Sequence, residues 1–197
     1  MIKGPEIARA IQGSWLLFLN RPDGLRWFDQ SIDGFWRSFG VVFLLLPMFA
    51  VSAMAEKKLM LTEAGLLADT FPNGAYWTAQ FAILGLDWIA LPIILAVLAK
   101  PIGISNGYIS LIVVRNWSSL LAAVPYVVAG LLYLAGAISS GILVLLSLVT
   151  LVVVLWYRFN IVRITLRSSI SVTLGIVVLD IVLSLLIAEI GGRIWTS

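Results

Sequence analysis

The chain has 197 residues, 61% hydrophobic and only 12% charged, with a mean hydropathy of +1.05. A soluble domain is nearer half apolar and a quarter charged, so this composition excludes a water-soluble globule and points to an integral membrane protein. Cys and His are both absent, which excludes disulfides, thiolate nucleophiles, Cys- or His-ligated metal and Ser/His/Asp catalysis within the chain.

No G-x-x-x-x-G-K-[ST] or G-x-G-x-x-G motif occurs, so no phosphate loop or dinucleotide fingerprint is read. No catalytic residue, metal site or cofactor is expected. The net charge of +3 and pI near 9.4 are read as basic residues against anionic lipid rather than as nucleic-acid binding.

Residues 1–34 form a first segment. Its stretch 11–19 is too short to span a bilayer. Ile7, Ile11, Trp15 and Phe18 recur at helical spacing, which predicts an amphipathic helix lying in the cytoplasmic interface. Asn20–Gly24 reads as a turn, and Trp27, Phe28, Ser31, Ile32, Phe35 and Trp36 follow on neighbouring rows. The alternative to anchoring is a docking surface for a soluble partner. No secretory signal peptide is read, because the first long apolar run begins near Phe39.

A bilayer core of about 30 Å takes roughly 20 apolar helical residues. Five segments qualify: 35–55, 75–99, 117–136, 137–157 and 170–190. They are continuously apolar rather than alternating, which predicts helices and not a β-barrel. The expected fold is all-α: a polytopic membrane bundle of five transmembrane helices, 35–190, followed by a tail of 191–197. Pro47, Pro92 and Pro125 lie inside the first three spans and predict kinks. Between the first two spans, 56–74 predicts a short surface helix ended by Phe-Pro-Asn-Gly.

With alternate crossing, Lys3, Arg9, Arg21, Arg26, Arg37, Lys100, Arg115, Arg158, Arg163 and Arg167 share one side, against Lys57, Lys58 and Arg193 on the other. The positive-inside rule then puts the N-terminus in the cytoplasm and the C-terminus outside, and a bacterial inner membrane is the expected location. Trp36, Trp117, Trp156 and Tyr157 fall at inner span ends, and Tyr76, Trp77 and Trp195 at outer ends, as interfacial aromatics do; Trp88 is mid-span.

Asp87 and Asp180 sit at the middle of their spans, where an ionised Asp costs about 2.5–3.5 kcal/mol. Relief is expected from a proton shared between them or from Arg115, which a helix beginning near Ser105 carries part-way into the membrane beside Asn116. These four form the candidate intramembrane polar set. Carboxylates at this depth read either as a proton- or cation-responsive site or as a structural hydrogen bond between helices. Asn160, Arg163 and Arg167 recur at i, i+3 and i+7 and predict one polar face on a cytoplasmic stub before the last span. Headgroup or partner contacts are expected from Arg158, Arg163 and Arg167 there, and from Arg26, Trp15, Trp27 and Trp36 in the N-terminal segment.

The layout, with the aromatic–basic junction and final span WYRFNIVRITLRSSISVTLGIVVLDIVLSLL over 156–186, resembles the Yip family of Rab-interacting membrane proteins and its bacterial relatives. That resemblance implies a part in membrane shaping or traffic and carries no catalytic residues. The long N-terminal domain of the eukaryotic members is here replaced by 34 residues. Two functions are therefore expected from the sequence. One is a non-enzymatic scaffold or accessory subunit, with lipid, a membrane protein or a second copy as partner. The other is a small transporter or channel component using Asp87 and Asp180.

Overall fold

The computed structural model describes residues 2–65 and 68–196. Among them the chain is helical, with no strand. The helices are α1 (Gly4–Phe18), α2 (Ile32–Phe39), α3 (Val41–Ala64), α4 (Asn73–Leu98), α5 (Tyr108–Leu134), α6 (Ser140–Leu166) and α7 (Ile170–Thr196), with 3-10 turns at Pro22–Trp27, Ala68–Thr70 and Ser105–Gly107. Five helical stretches are long and apolar enough to cross a membrane: Ile32–Glu63, Asn73–Leu98, Ser105–Leu134, Ser140–Leu166 and Ile170–Arg193. Only 22–28% of each apolar window is buried inside the bundle, so most of that surface needs hydrocarbon around it.

Several span boundaries differ from the hydropathy reading, always toward longer helices. The first span continues through the residues read as a loop, because Glu, Lys, Leu and Met are good helix formers and no breaker intervenes before Gly65, whose φ of 61° ends α3. No separate surface helix therefore occupies 56–64; Leu66 and Leu67 lie outside the described residues. The third span starts at Tyr108 rather than 117, which draws Arg115 and Asn116 inside. The fourth spans Ser140–Leu166, so the basic stub is the last turns of α6, closed by Arg167 in the left-handed conformation. Its three polar residues do not share one exposed face: Asn160 is buried while Arg163 and Arg167 are exposed. The three prolines do lie within helices.

α5 is the hub, packed against α3, α6, α2 and α1, and α7 bridges α4 and α6. The N-terminal segment is part of this core. α1 buries a narrow face of Ala10, Gly13, Ser14 and Leu17 against α5, α6 and the Pro22–Trp27 turn. Tyr157 Oη donates to the Ser14 carbonyl at 2.8 Å, and the Ser14 and Ser118 hydroxyls lie 3.3 Å apart. The apolar stripe read from the sequence is split: Ile11 and Trp15 are about half exposed, while Ile7 and Phe18 pack against the core. Thus α1 docks by its small residues together with Leu17 and Phe18, the latter edge-on to Trp156 and Tyr157, and leaves Ile11 and Trp15 for lipid.

The aromatic belt is likewise only partly at the surface. Trp117, Tyr157 and Tyr76 are core residues, and Tyr76 Oη donates to the Ala53 carbonyl at 2.7 Å. Trp36 and Trp156 stay exposed. The side chain of Trp195 lies outside what is described.

Arg37 ties α1 to α2, donating to Glu6 at 3.2 Å and to Asp29 at 2.5 Å. Hydrogen bonds from Ser31, then the Arg37 guanidinium, hold the Asp29 carboxyl below its usual range. A depressed folded-state pKa stabilises above the unfolded value, near 3.9 for Asp, and that stabilisation is lost as pH falls through the folded value. The melting-temperature gap between wild type and Asp29→Asn should be full at neutral pH and close as the pH falls below the ordinary carboxylate range, through the lowered folded-state pKa. The Arg37 and Asp29 side chains are 30% and 39% exposed, so the gap should be small.

Candidate functional site: a charged cluster inside the bundle

Counting 1.5 Å per residue, Arg115, Arg158, Asp180 and Asp87 all lie roughly 10–17 Å from the helix ends nearest the N-terminal unit. Four helices thus bring their charges to one layer. Arg115 on α5 donates to Asp180 Oδ1 at 3.2 Å, and Arg158 on α6 pairs with Asp180 Oδ2. Asp180 is buried, and one guanidinium covers each of its oxygens. The two aspartates therefore share no proton with each other. Although α4 and α7 pack against each other, both guanidiniums bond to Asp180 and a serine of α7 bonds to Asp87. Arg158, read from the sequence as a headgroup contact, is turned inward because α6 continues two further turns beyond it.

Asp87 on α4 is held differently. Ser184 Oγ donates to its Oδ1 at 2.5 Å. Ser184 lies one turn beyond Asp180 on α7, so the same face of α7 serves both carboxylates. Asp87 is within electrostatic reach of both guanidiniums without bonding to either. Formally the four charges cancel.

Two cavities flank the arginines. A void of about 30 Å³, bounded by Arg115, Ser118, Tyr157, Arg158 and Asp180, can admit a water molecule. On the other side lies a cavity of about 310 Å³ between α3, α4, α5 and α6. Its polar lining is Asp87, Arg115, Arg158, Ser52, Ser119 and Tyr126, and its walls are otherwise apolar, including Met48, Phe49, Trp88 and Val154. Asp180 does not line it. A further cavity of about 330 Å³ shares Ser52 and Tyr126 with it and reaches Glu56 toward the far end of the bundle.

α3 and α4, which form one wall, are not closely packed along their lengths. Side chains hold them together, Tyr76 to Ala53 and Gln80 to Glu56 at 3.1 Å, while Trp88 Nε1 ties α4 to the end of α2 through the Phe39 carbonyl at 3.1 Å. At the opposite end the small void is covered by α1, through Ser14 on Tyr157 and Ser118.

Buried polar atoms are not all satisfied. Arg115 Nε and Asn116 Oδ1 have no hydrogen-bond partner. Asn116, fully buried, donates from Nδ2 to Ser38 Oγ at 3.0 Å and so belongs to the α2–α5 contact, not to the charge cluster. Of the expected headgroup residues, Arg26, Arg163, Arg167, Trp15 and Trp36 are exposed, and Trp27 is partly buried with its Nε1 unpartnered. Ser184 was signalled in the sequence by its i+4 spacing from Asp180; Ser52, Ser119 and Tyr126 carried no such signal. Among the described residues no group of acidic side chains is arranged to hold a metal.

No protein-family model, no curated protein and no solved structure matches this chain.

Proposed function

We propose that this is a non-enzymatic multi-pass protein of a bacterial inner membrane, with its N-terminus cytoplasmic and its C-terminus outside, that works as a small transporter or channel component through Asp87. One observation carries the reading. Asp180 is fully engaged by two arginines, whereas Asp87 faces a cavity and takes its hydrogen bond from a single serine. A carboxylate within a membrane that is not locked into an ion pair and borders a cavity is the kind that handles protons or solutes. The Ser52–Tyr126 link to the outer cavity supplies a polar approach to it.

Asp87→Asn tests this. The amide still accepts from Ser184 but cannot titrate. The variant should melt within a few degrees of wild type and lose proton or cation flux in proteoliposomes carrying a pH-sensitive dye. A stable Asn variant with full flux rejects the reading. The orientation has its own test. A reporter active only in the cytoplasm should work when fused at residue 2 or inserted within 100–106, and should fail within 68–72.

A second reading, a Yip-like scaffold or accessory subunit acting through lipid and protein contacts, is favoured by the exposed row of Ile11, Trp15, Ile32 and Trp36 on the N-terminal helices. Arg26, Arg163 and Arg167 would then meet anionic headgroups. Crosslinking in native membranes that captures a stoichiometric partner or a second copy through Trp15 or Trp36 positions supports it; monomers alone reject it.

A further inference from the structure

We propose that the cavity of about 310 Å³ takes a small zwitterionic ligand, its anionic end on Arg115 and Arg158 and its ammonium on Asp87. This deepens the transport reading and rests on it.

The argument is one of charge and donor accounting. Asp180 stands behind the arginines and lines only the small void, so it takes one hydrogen bond from each guanidinium and leaves the others free. An arginine carries five N–H donors. Arg115 is more than nine-tenths buried, its Nε has no partner, and it borders the cavity. Unused donors on a buried cation call for an acceptor, and a carboxylate or phosphate meets a guanidinium best.

An anion alone does not suit the site. Asp87 borders the same cavity, within electrostatic reach of both guanidiniums. In a low-dielectric bundle its charge would repel a second anion at close range. A cation alone meets the reverse problem at the arginines. A ligand carrying both charges a few atoms apart satisfies the two ends and adds no net charge to a cluster that is already balanced. The walls between α3 and α4 are apolar, which suits an aliphatic or acyl portion on the same molecule. The shared chemistry is an ammonium close to an acidic group, found in free amino acids and in ethanolamine phospholipid headgroups alike.

Three probes of one carbon skeleton test this on the full-length protein in lipid-free detergent: leucine as the zwitterion, isovalerate as the anion and isoamylamine as the cation. Leucine should raise the melting temperature at concentrations at least about tenfold lower than either partner. Asp87→Asn should invert the order in favour of isovalerate. Ala123 on α5 also lines the cavity; Ala123→Phe, which fills it and leaves every charge in place, should abolish leucine binding without changing the melting temperature of the free protein by more than a few degrees. Nanodiscs separate the two sources. Leucine binding that survives in phosphatidylethanolamine discs points to a free solute, whereas loss there but not in phosphatidylglycerol discs points to the headgroup. Equal stabilisation by all three probes, by none, or by leucine in Ala123→Phe overturns the proposal. If leucine fails while Asp87→Asn still abolishes flux, the ligand class falls and the transport reading stands. Full flux in a stable Asp87→Asn removes both.

Discussion

Asp180→Leu should be the most damaging single substitution in the transmembrane region. It strands Arg115 and Arg158, which meet at the same carboxylate, inside the bundle. Breaking a buried ion pair by removing one partner costs about 3–5 kcal/mol, and here two cations lose their counter-charge together. Asp180→Asn should cost less, because the amide oxygen still accepts one hydrogen bond. Replacing all three residues by apolar ones, Asp180→Leu with Arg115→Met and Arg158→Met, should recover most of the loss, since a well-packed apolar substitute for a buried ionic cluster is often neutral or better. Melting of the four purified proteins in one detergent decides it. If the single Leu variant melts with wild type, the guanidiniums are not held by Asp180. If the triple variant is the worst of the set, the cluster is worth more than its desolvation.

Gly13→Leu should release the N-terminal unit. A Cβ at Gly13 would lie 2.7 Å from Phe28 and 2.9 Å from the Gly24 carbonyl, and one at Gly24 would lie 2.6 Å from the Gly13 carbonyl. These two glycines let α1 and the Pro22–Trp27 turn touch backbone to backbone, so any side chain forces them apart. Overpacking of this kind costs about 1–3 kcal/mol, enough to undock a single helix while leaving the five spans inserted. Trypsin cleavage after Arg26, which is exposed, should rise at least several-fold relative to wild type, with melting of the remaining bundle shifted much less. Gly4→Leu, with open space around its Cβ position, is the matched control and should leave cleavage unchanged.

The five spans were legible because lipid-facing residues outnumber buried ones: a run such as 141–156 is apolar on every side, and length alone separates it from a strand. The span ends were not legible, because a hydropathy window stops at the first charge whereas a helix stops at a backbone feature. Lys57, Lys58 and Glu63 end the first and sustain the second until Gly65. The same confusion hid Arg158. It sits at the edge of an apolar window and reads as a boundary, yet the helix runs on past it and turns the residue toward α7. That Asp87 and Asp180 lie deep in the membrane followed from counting residues. That one meets two arginines and the other a serine depends on how each helix is rotated about its axis, which nearly featureless apolar helices do not encode. The sequence pattern makes α1 amphipathic, but the face that meets the bundle is not the large apolar stripe alone: Gly13 and Ser14, which look polar, join Ala10, Leu17 and Phe18 in that contact, while Ile11 and Trp15 face outward.

The seat of α1 also sets a schedule for making the protein. Tyr157, which holds Ser14, follows it by 143 positions along the chain. At about 5–20 residues per second of synthesis, α1 has left the ribosome roughly 7–30 seconds before its binding place exists. Through that interval its small-residue face has only the Pro22–Trp27 turn to rest on, and the other surface in reach is the bilayer next to the insertion machinery. Ile11 and Trp15, which contribute little to the finished core, are suited to hold the helix there. The nascent chain thus carries its own parking site, and α1, made before all five spans, is among the last elements to be locked in place.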